Sequence, residues 1–279
     1  MKVYLCAISN ISSGTCAEDC AFCTQSAKYG ADIERYRYKP IENIVKEAKR
    51  AKAAKAVGFC LVTAGKGVEA KTLDFVCEAA KAVKKEVGDI SLIGCNGTAG
   101  VEELKEMKKA GIENYNHNLE TSKSFYKNIC TTHTWQERYQ TCLNVKEAGL
   151  NLCTGGIFGM GESETQREEL LKEIASLEPM SVPINFFHPN PALPIKKSPL
   201  SKEEALNIVQ RAKELLPNSM IMVAGGRELV FGEDWPALLE AGANSIVIGD
   251  YLTTKGEEPS KDLAILEKLG YEIAQNCHE

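Results

Sequence analysis

The chain has 279 residues, 44% hydrophobic and 25% charged, with a formal net charge of −5. That describes an ordinary globular protein with ample length for a large core, and its acidic balance gives no reason to expect nucleic acid. No stretch approaches a membrane span, no apolar signal core opens the chain, and eleven cysteines are too few for a stapled secreted domain. The thiols are therefore expected to be reduced and the protein cytoplasmic.

Short β-rich runs alternate with amphipathic helical stretches from end to end. In chain order the pattern predicts strand 4–8, helix 41–57, strand 58–63, helix 71–86, strand 91–94, helix 101–110, strand 114–117 and helix 134–148. It continues with strand 150–154, helix 163–177, strand 182–187, helix 202–216, strand 220–223, helix 235–241, strand 245–248 and helix 263–269. Gly111, Gly149 and Gly242 follow helix ends, where a left-handed cap favours glycine. Eight βα units with no linker predict an α/β fold, a single-domain (β/α)8 TIM-type barrel over 1–279. In such a barrel the loops after the strands converge on one face, and the chemically interesting residues fall there.

The first of these loops, at about 14–26, carries Cys16, Cys20 and Cys23 in the spacing C-x3-C-x2-C. Thiolates select iron–sulfur clusters, and three ligands on four irons leave one iron open to a substrate or cofactor. A structural zinc knot is the competing reading, although zinc sites usually gather two short ligand pairs.

Cys60 lies in the second strand, Cys95 follows the third and Cys153 ends the fifth. Each alone reads as a small buried hydrophobe; together they are placed to meet around a second metal centre. Arg227, after the seventh strand, is positioned as a charged partner or ligand, with a salt bridge as its default role. Cys77, Cys130 and Cys142 read as structural, Cys6 as core and Cys277 as without a role. His133, His188 and His278 share no metal-ligand spacing.

Asn116 and Asn118 end the fourth strand and Asn185 the sixth, where their amides both donate and accept; loop capping competes with ligand binding for each. The glycine run 155–161 has neither the phosphate-loop lysine nor dinucleotide-binding spacing. It suits close approach of backbone to a flat ligand, with Ile157 as an apolar surface, as well as it suits a tight βα turn. Thr253 and Thr254 offer hydroxyls and N–H groups to a carboxylate.

From about Cys6 to Leu269 the chain resembles the radical AdoMet enzymes, and among them those that insert sulfur into dethiobiotin. The resemblance is carried by the cysteine trio together with Tyr115-Asn116-His117-Asn118-Leu119-Glu120, Cys153-Thr154-Gly155-Gly156-Ile157, Ser181-Val182-Pro183-Ile184-Asn185, Ala224-Gly225-Gly226-Arg227-Glu228 and Ala243-Asn244-Ser245. It implies that Cys16, Cys20 and Cys23 hold a 4Fe-4S cluster whose open iron chelates AdoMet, and that Cys60, Cys95, Cys153 and Arg227 hold a sulfur-donating 2Fe-2S cluster. It further implies that Phe22, Thr63, Asn118, Glu120 and Ile157 bind AdoMet, that Asn116, Asn118 and Asn185 contact the substrate's ureido ring, and that Thr253 and Thr254 take its carboxylate. A flavodoxin- or ferredoxin-type electron donor and a homodimer are implied as partners. Glu120 stands where many relatives carry Asp, and Gly58 where some carry Arg. Another radical AdoMet enzyme with an accessory cluster is the nearest rival, although lipoyl synthase would require a second closely spaced cysteine trio. A zinc-stabilised binding protein is the rival without chemistry.

Overall fold

The structure, a computed structural model, describes residues 1–196 and 200–277; His278 lies outside them. Its strands are β1 (Lys2–Asn10), β2 (Gly58–Val62), β3 (Ser91–Cys95), β4 (Ile112–Asn116), β5 (Asn151–Cys153), β6 (Gly156–Phe158), β7 (Ser181–Phe186), β8 (Met220–Val223), β9 (Ser245–Val247) and β10 (Glu272–Ile273). The helices are α1 (Ile41–Ala53), α2 (Ala70–Val87), α3 (Val101–Lys109), α4 (Trp135–Glu147), α5 (Glu164–Ser176), α6 (Lys202–Leu215), α7 (Arg227–Phe231), α8 (Ala237–Glu240) and α9 (Pro259–Lys268).

The strands pair in parallel in the order β1-β2-β3-β4-β5-β7-β8-β9, with β6 also on β7, and β9 pairs back onto β1 through Tyr4–Ser245, Leu5–Ile246 and Cys6–Val247. That closure makes the expected eight-stave barrel. Side chains alternate between its two faces. Leu5, Phe59, Leu61, Leu92, Val182, Ile221 and Ile246 pack outward into one continuous core with the helices. Cys6, Cys60, Ile93, Met222 and Val247 form a separate cluster inside.

The helices meet the staves with apolar stripes such as Ile44, Val45, Ala48 and Ala51 on α1. Thr134, Ser163 and Ser201 start α4, α5 and α6 with reciprocal capping boxes to Glu137, Gln166 and Glu204. Gly111, Gly149 and Gly242 take positive φ after helix ends, as expected.

Three features depart from the alternation read in the sequence. The fifth stave is split into β5 and β6 at Thr154-Gly155, because the chain there runs against β7: a Cβ on Gly155 would lie 1.9 Å from the Pro183 carbonyl oxygen. The stretch after β8 is a short helix, α7, entered through Gly226 at φ 81°. Finally, β10 adds to the start of β1 through Lys2–Glu272 and Val3–Ile273.

Gly155→Ala should therefore lower stability by roughly 2 kcal/mol through backbone overpacking, read as a lower urea midpoint at unchanged slope. An unchanged midpoint would show that the split stave tolerates a side chain there.

Candidate active site

A cavity of about 380 Å³ opens at the C-terminal ends of the staves, and its lining brings together Phe22, Cys23, Cys60, Cys95, Asn116, Asn118, Glu120, Cys153, Ile157, Asn185, Thr253 and Thr254. Residues drawn from the first loop to the last thus share one space. The register explains how: Val62 of β2 lies opposite Cys95, and Asn116 opposite Cys153. Thr63 instead lines a neighbouring, more open cleft with Glu18 and Lys66. Its N–H donates to the Cys95 carbonyl at 3.2 Å and its hydroxyl accepts from Asn96 at 3.1 Å, which leaves its carbonyl as the backbone group it offers.

Inside the cavity the thiols of Cys60 and Cys95 act on each other, which pushes Cys60 up and pulls Cys95 down. Asn116 Nδ2 donates to Cys95 Sγ at 3.4 Å, which also favours the thiolate. Burial pushes Cys153 up to about 12.

Arg227 does not join these cysteines. Its side chain is fully buried but absent from the cavity lining. Its two Nη atoms fork onto the Asp262 carboxylate of α9, each at 2.9 Å, Nη2 also reaches Glu228 at 3.0 Å, and the guanidinium lies 4.6 Å from the centre of the Trp235 ring. Burial pushes the Asp262 carboxyl up, against the pull of Arg227. Arg227 thus makes the salt bridge read as its default role, and the structure does not bring it together with the cavity cysteines. Left-handed Gly226 and the α7 turn send the side chain behind β8. Met222, from the strand itself, faces the cavity in its stead.

The cysteine trio sits on a long loop braced by Gln25, whose side chain accepts from Gly14 N at 2.6 Å and donates to Asn10 at 3.0 Å. Cys23 reaches the cavity; burial pushes its thiol up to about 12, and the charges of Cys16 and Glu120 add to this. Cys20 turns toward two residues read as structural or unconnected in the sequence. Its Sγ lies 3.8 Å from Cys130 and 4.0 Å from His133 Nε2, and His133 Nδ1 lies 2.6 Å from Glu18. The Cys20–Cys130 hydrogen bond holds the Cys130 thiol down at about 4. Among the described residues, the group Cys20, Cys130 and His133 has its ligand atoms all within 4.8 Å of one another. No local spacing announces it, because Cys20 and Cys130 are 110 positions apart.

Arg138 of α4 was also missed. Its Nη2 donates to Glu120 Oε1 at 2.7 Å and its Nε to the Asn118 carbonyl at 2.7 Å, while Nη1 lies 3.2 Å from His133 Nε2. It thus ties the cysteine-loop network to the Asn118–Glu120 turn. Glu120 adopts φ 69°, its carbonyl accepts from Ile157 N at 2.8 Å, and burial raises its carboxyl.

The donor set fits iron–sulfur clusters and a polar cofactor. Five soft thiols, those of Cys6, Cys23, Cys60, Cys95 and Cys153, share one cavity, and soft thiolates are the ligands iron–sulfur clusters take. Asn116 Oδ1, Asn118 Oδ1 and Glu120 Oε2 are buried beside them with no partner. Orphaned acceptors of this kind call for N–H and O–H donors from a ligand.

The chain matches the radical SAM superfamily over residues 10–174 and the Biotin and Thiamin Synthesis associated domain over 183–272. It is 74% identical to a biotin synthase of Nitratiruptor sp. over the full length of both chains. It is 66% identical to that of Aliarcobacter butzleri over 100% of this chain and 99% of the relative. Its fold resembles methylornithine synthase, with a TM-score of 0.82 at 20% identity, covering 98% of this chain and 84% of that one. The barrel and its cysteine loop are thus those of a radical SAM enzyme. Within that superfamily the chain belongs to the biotin synthase family.

Arg227→Gln should cost roughly 3 kcal/mol or more, because it leaves Asp262 as an uncompensated buried charge, while the iron and sulfide content of the folded protein stays at the wild-type level. Loss of the two-iron absorption at an unchanged denaturation midpoint would return Arg227 to the cluster. Arg138→Leu should raise the AdoMet dissociation constant by about tenfold, as expected for losing one charge-assisted contact to the Glu120 turn; calorimetric titration at wild-type affinity would refute that positioning role.

Proposed function

We propose that the chain works as a biotin synthase, inserting sulfur into dethiobiotin by AdoMet-dependent radical chemistry. The observation that carries the reading is the meeting of Cys60, Cys95 and Cys153, from three separate strands, in one cavity whose lining also includes Cys23 of the C-x3-C-x2-C loop. The enzyme uses a 4Fe-4S cluster, a 2Fe-2S cluster and AdoMet; bound together, these supply reductive AdoMet cleavage, hydrogen abstraction from dethiobiotin and the sulfide that is inserted.

In this reading Cys16, Cys20 and Cys23 hold the four-iron cluster, and Cys60, Cys95 and Cys153 provide three ligands to the other. Asn116 Nδ2 orients the Cys95 sulfur. Its free Oδ1, buried and unpaired, accepts from a ureido N–H, while Asn118 Oδ1 and Glu120 Oε2 accept from the cofactor's hydroxyls. Ile157 and Phe22 offer apolar cavity surface to the adenine. Asn185 is already committed, with Nδ2 donating to the Gly156 carbonyl at 3.2 Å and Oδ1 accepting from Gly225 N at 3.0 Å; its remaining donor and acceptor capacity faces the substrate. Thr253, hydrogen-bonded to Thr24 at 2.7 Å, and Thr254 close the far side, where a carboxylate would sit. The enclosed barrel keeps water from the reacting C–H bond and limits side reactions.

Dethiobiotin as substrate and an external electron donor belong to this function. A flavodoxin- or ferredoxin-type protein as that donor, a homodimeric assembly and operation in the cytoplasm complete the proposal. All eleven cysteines are free, which supports a reducing compartment, and no described helix is long and apolar enough to cross a membrane.

Anaerobic incubation with AdoMet, a reductant and dethiobiotin should yield biotin and 5′-deoxyadenosine together. Protein that binds zinc and contains no acid-labile sulfide would contradict the enzyme reading.

A further inference from the structure

A two-iron cluster is commonly held by four thiolates. Cys60, Cys95 and Cys153 supply three, and Arg227 is engaged by Asp262 outside the cavity. Besides Cys23 of the first loop, one more thiol lines the same cavity. Cys6 on β1 is 5% exposed and belongs to the interior cluster with Cys60 and Met222, on the opposite face of its strand from the helix-packed Leu5.

The strand register places it well. Cys6 lies opposite Gly58 and Ile8 opposite Cys60, so Cys6 and Cys60 are diagonal neighbours on one face of adjacent strands, about 7 Å apart at the backbone and within side-chain reach. Gly58 is what makes room. A Cβ at that position would lie 2.8 Å from Cys6 Sγ and 3.2 Å from Ile93 Cδ1, so any larger residue would displace this thiol. Ser181 Oγ, in a residue 2% exposed, lines the same cavity with no partner, so the pocket around these thiols holds a polar group that still lacks its ligand. The other sulfur on this wall is the thioether of Met222, a neutral and weak donor next to a thiolate.

We propose that Cys6 is the fourth protein ligand of the two-iron cluster, which makes its ligand set Cys6, Cys60, Cys95 and Cys153. The proposal rests on assigning the last three to that cluster. On coordination the Cys6 S–H bond is replaced by an S–Fe bond and the proton passes to water, with no change in the oxidation state of sulfur or iron. The extra thiolate adds negative charge to the cluster and lowers its reduction potential.

Anaerobic Mössbauer and resonance Raman spectra of the reconstituted full-length protein test this, with the four-iron signal as an internal control for folding. In the wild type, both irons of the oxidised two-iron cluster should be equivalent all-sulfur sites. Cys6→Ser should make one of them distinct and shift the iron–thiolate stretches, and Met222→Leu should leave the spectrum unchanged. Inequivalent irons in the wild type, an unaltered two-iron spectrum in Cys6→Ser and Cys6→Ala, or a shift in Met222→Leu alone would each overturn the proposal. If Cys6→Ser loses both clusters, the wild-type spectrum decides by itself. A wild type with the four-iron cluster and no two-iron signal would fail the assignment of Cys60, Cys95 and Cys153, a result distinct from losing Cys6 alone.

Discussion

Closure of β9 onto β1 by parallel hydrogen bonding is the constraint on which the site depends. Once the sheet is a ring, strand alternation has only two outcomes for a side chain: outward into the helix-packed core or inward into a confined interior. Parallel pairing adds a direction, so the ends of all staves open on one face. Cysteines far apart in sequence then meet because each occupies an inward position near a strand's end. The interior is apolar enough to raise most of its thiols and tight enough that Gly58 and Gly155 admit no side chain.

Two buried electrostatic arrangements sit on either side of this ring and do different work. Behind β8, Arg227 forks its two Nη atoms onto Asp262 and so joins α7 to α9, while its buried Nε has no partner; the side chain does not line the cavity. Beside β4, Arg138 spends its donors on Glu120 and Asn118 and lies against His133. It leaves one Glu120 oxygen and the Asn118 amide oxygen unpaired. The first arrangement pairs its two opposite charges away from the cavity. The second is left open at the atoms that face the cavity, as a ligand-binding network has to be.

Much of this was legible in the sequence because strand alternation and helical periodicity are local. The eight staves and the convergence of Cys60, Cys95, Cys153, Asn116 and Asn185 follow from counting βα units and noting which polar residues end strands. Arg227 lies outside the cavity in a way no local pattern announces: it follows Gly226, a left-handed glycine three residues past β8, and its ion-pair partner lies 35 positions later. Cys6 looked like core because an inward thiol and an outward aliphatic are equally buried in sequence terms; the register against Gly58 separates them. The Cys20, Cys130 and His133 group depends on a contact across more than a hundred residues and left no periodic trace. Arg138 did leave one: it falls three positions after Trp135 and four before Cys142, both buried on α4, and a cation on the apolar stripe of a helix needs a buried partner.

The central claim is that the cavity cysteines hold the sulfur that reaches the product. A single anaerobic turnover tests it most directly, using protein whose cluster sulfide carries a heavy isotope, with light sulfide in solution and biotin read by mass spectrometry. The account predicts biotin containing the heavy sulfur in wild-type protein. Biotin carrying only light sulfur, formed while the labelled two-iron cluster remains intact, would contradict it.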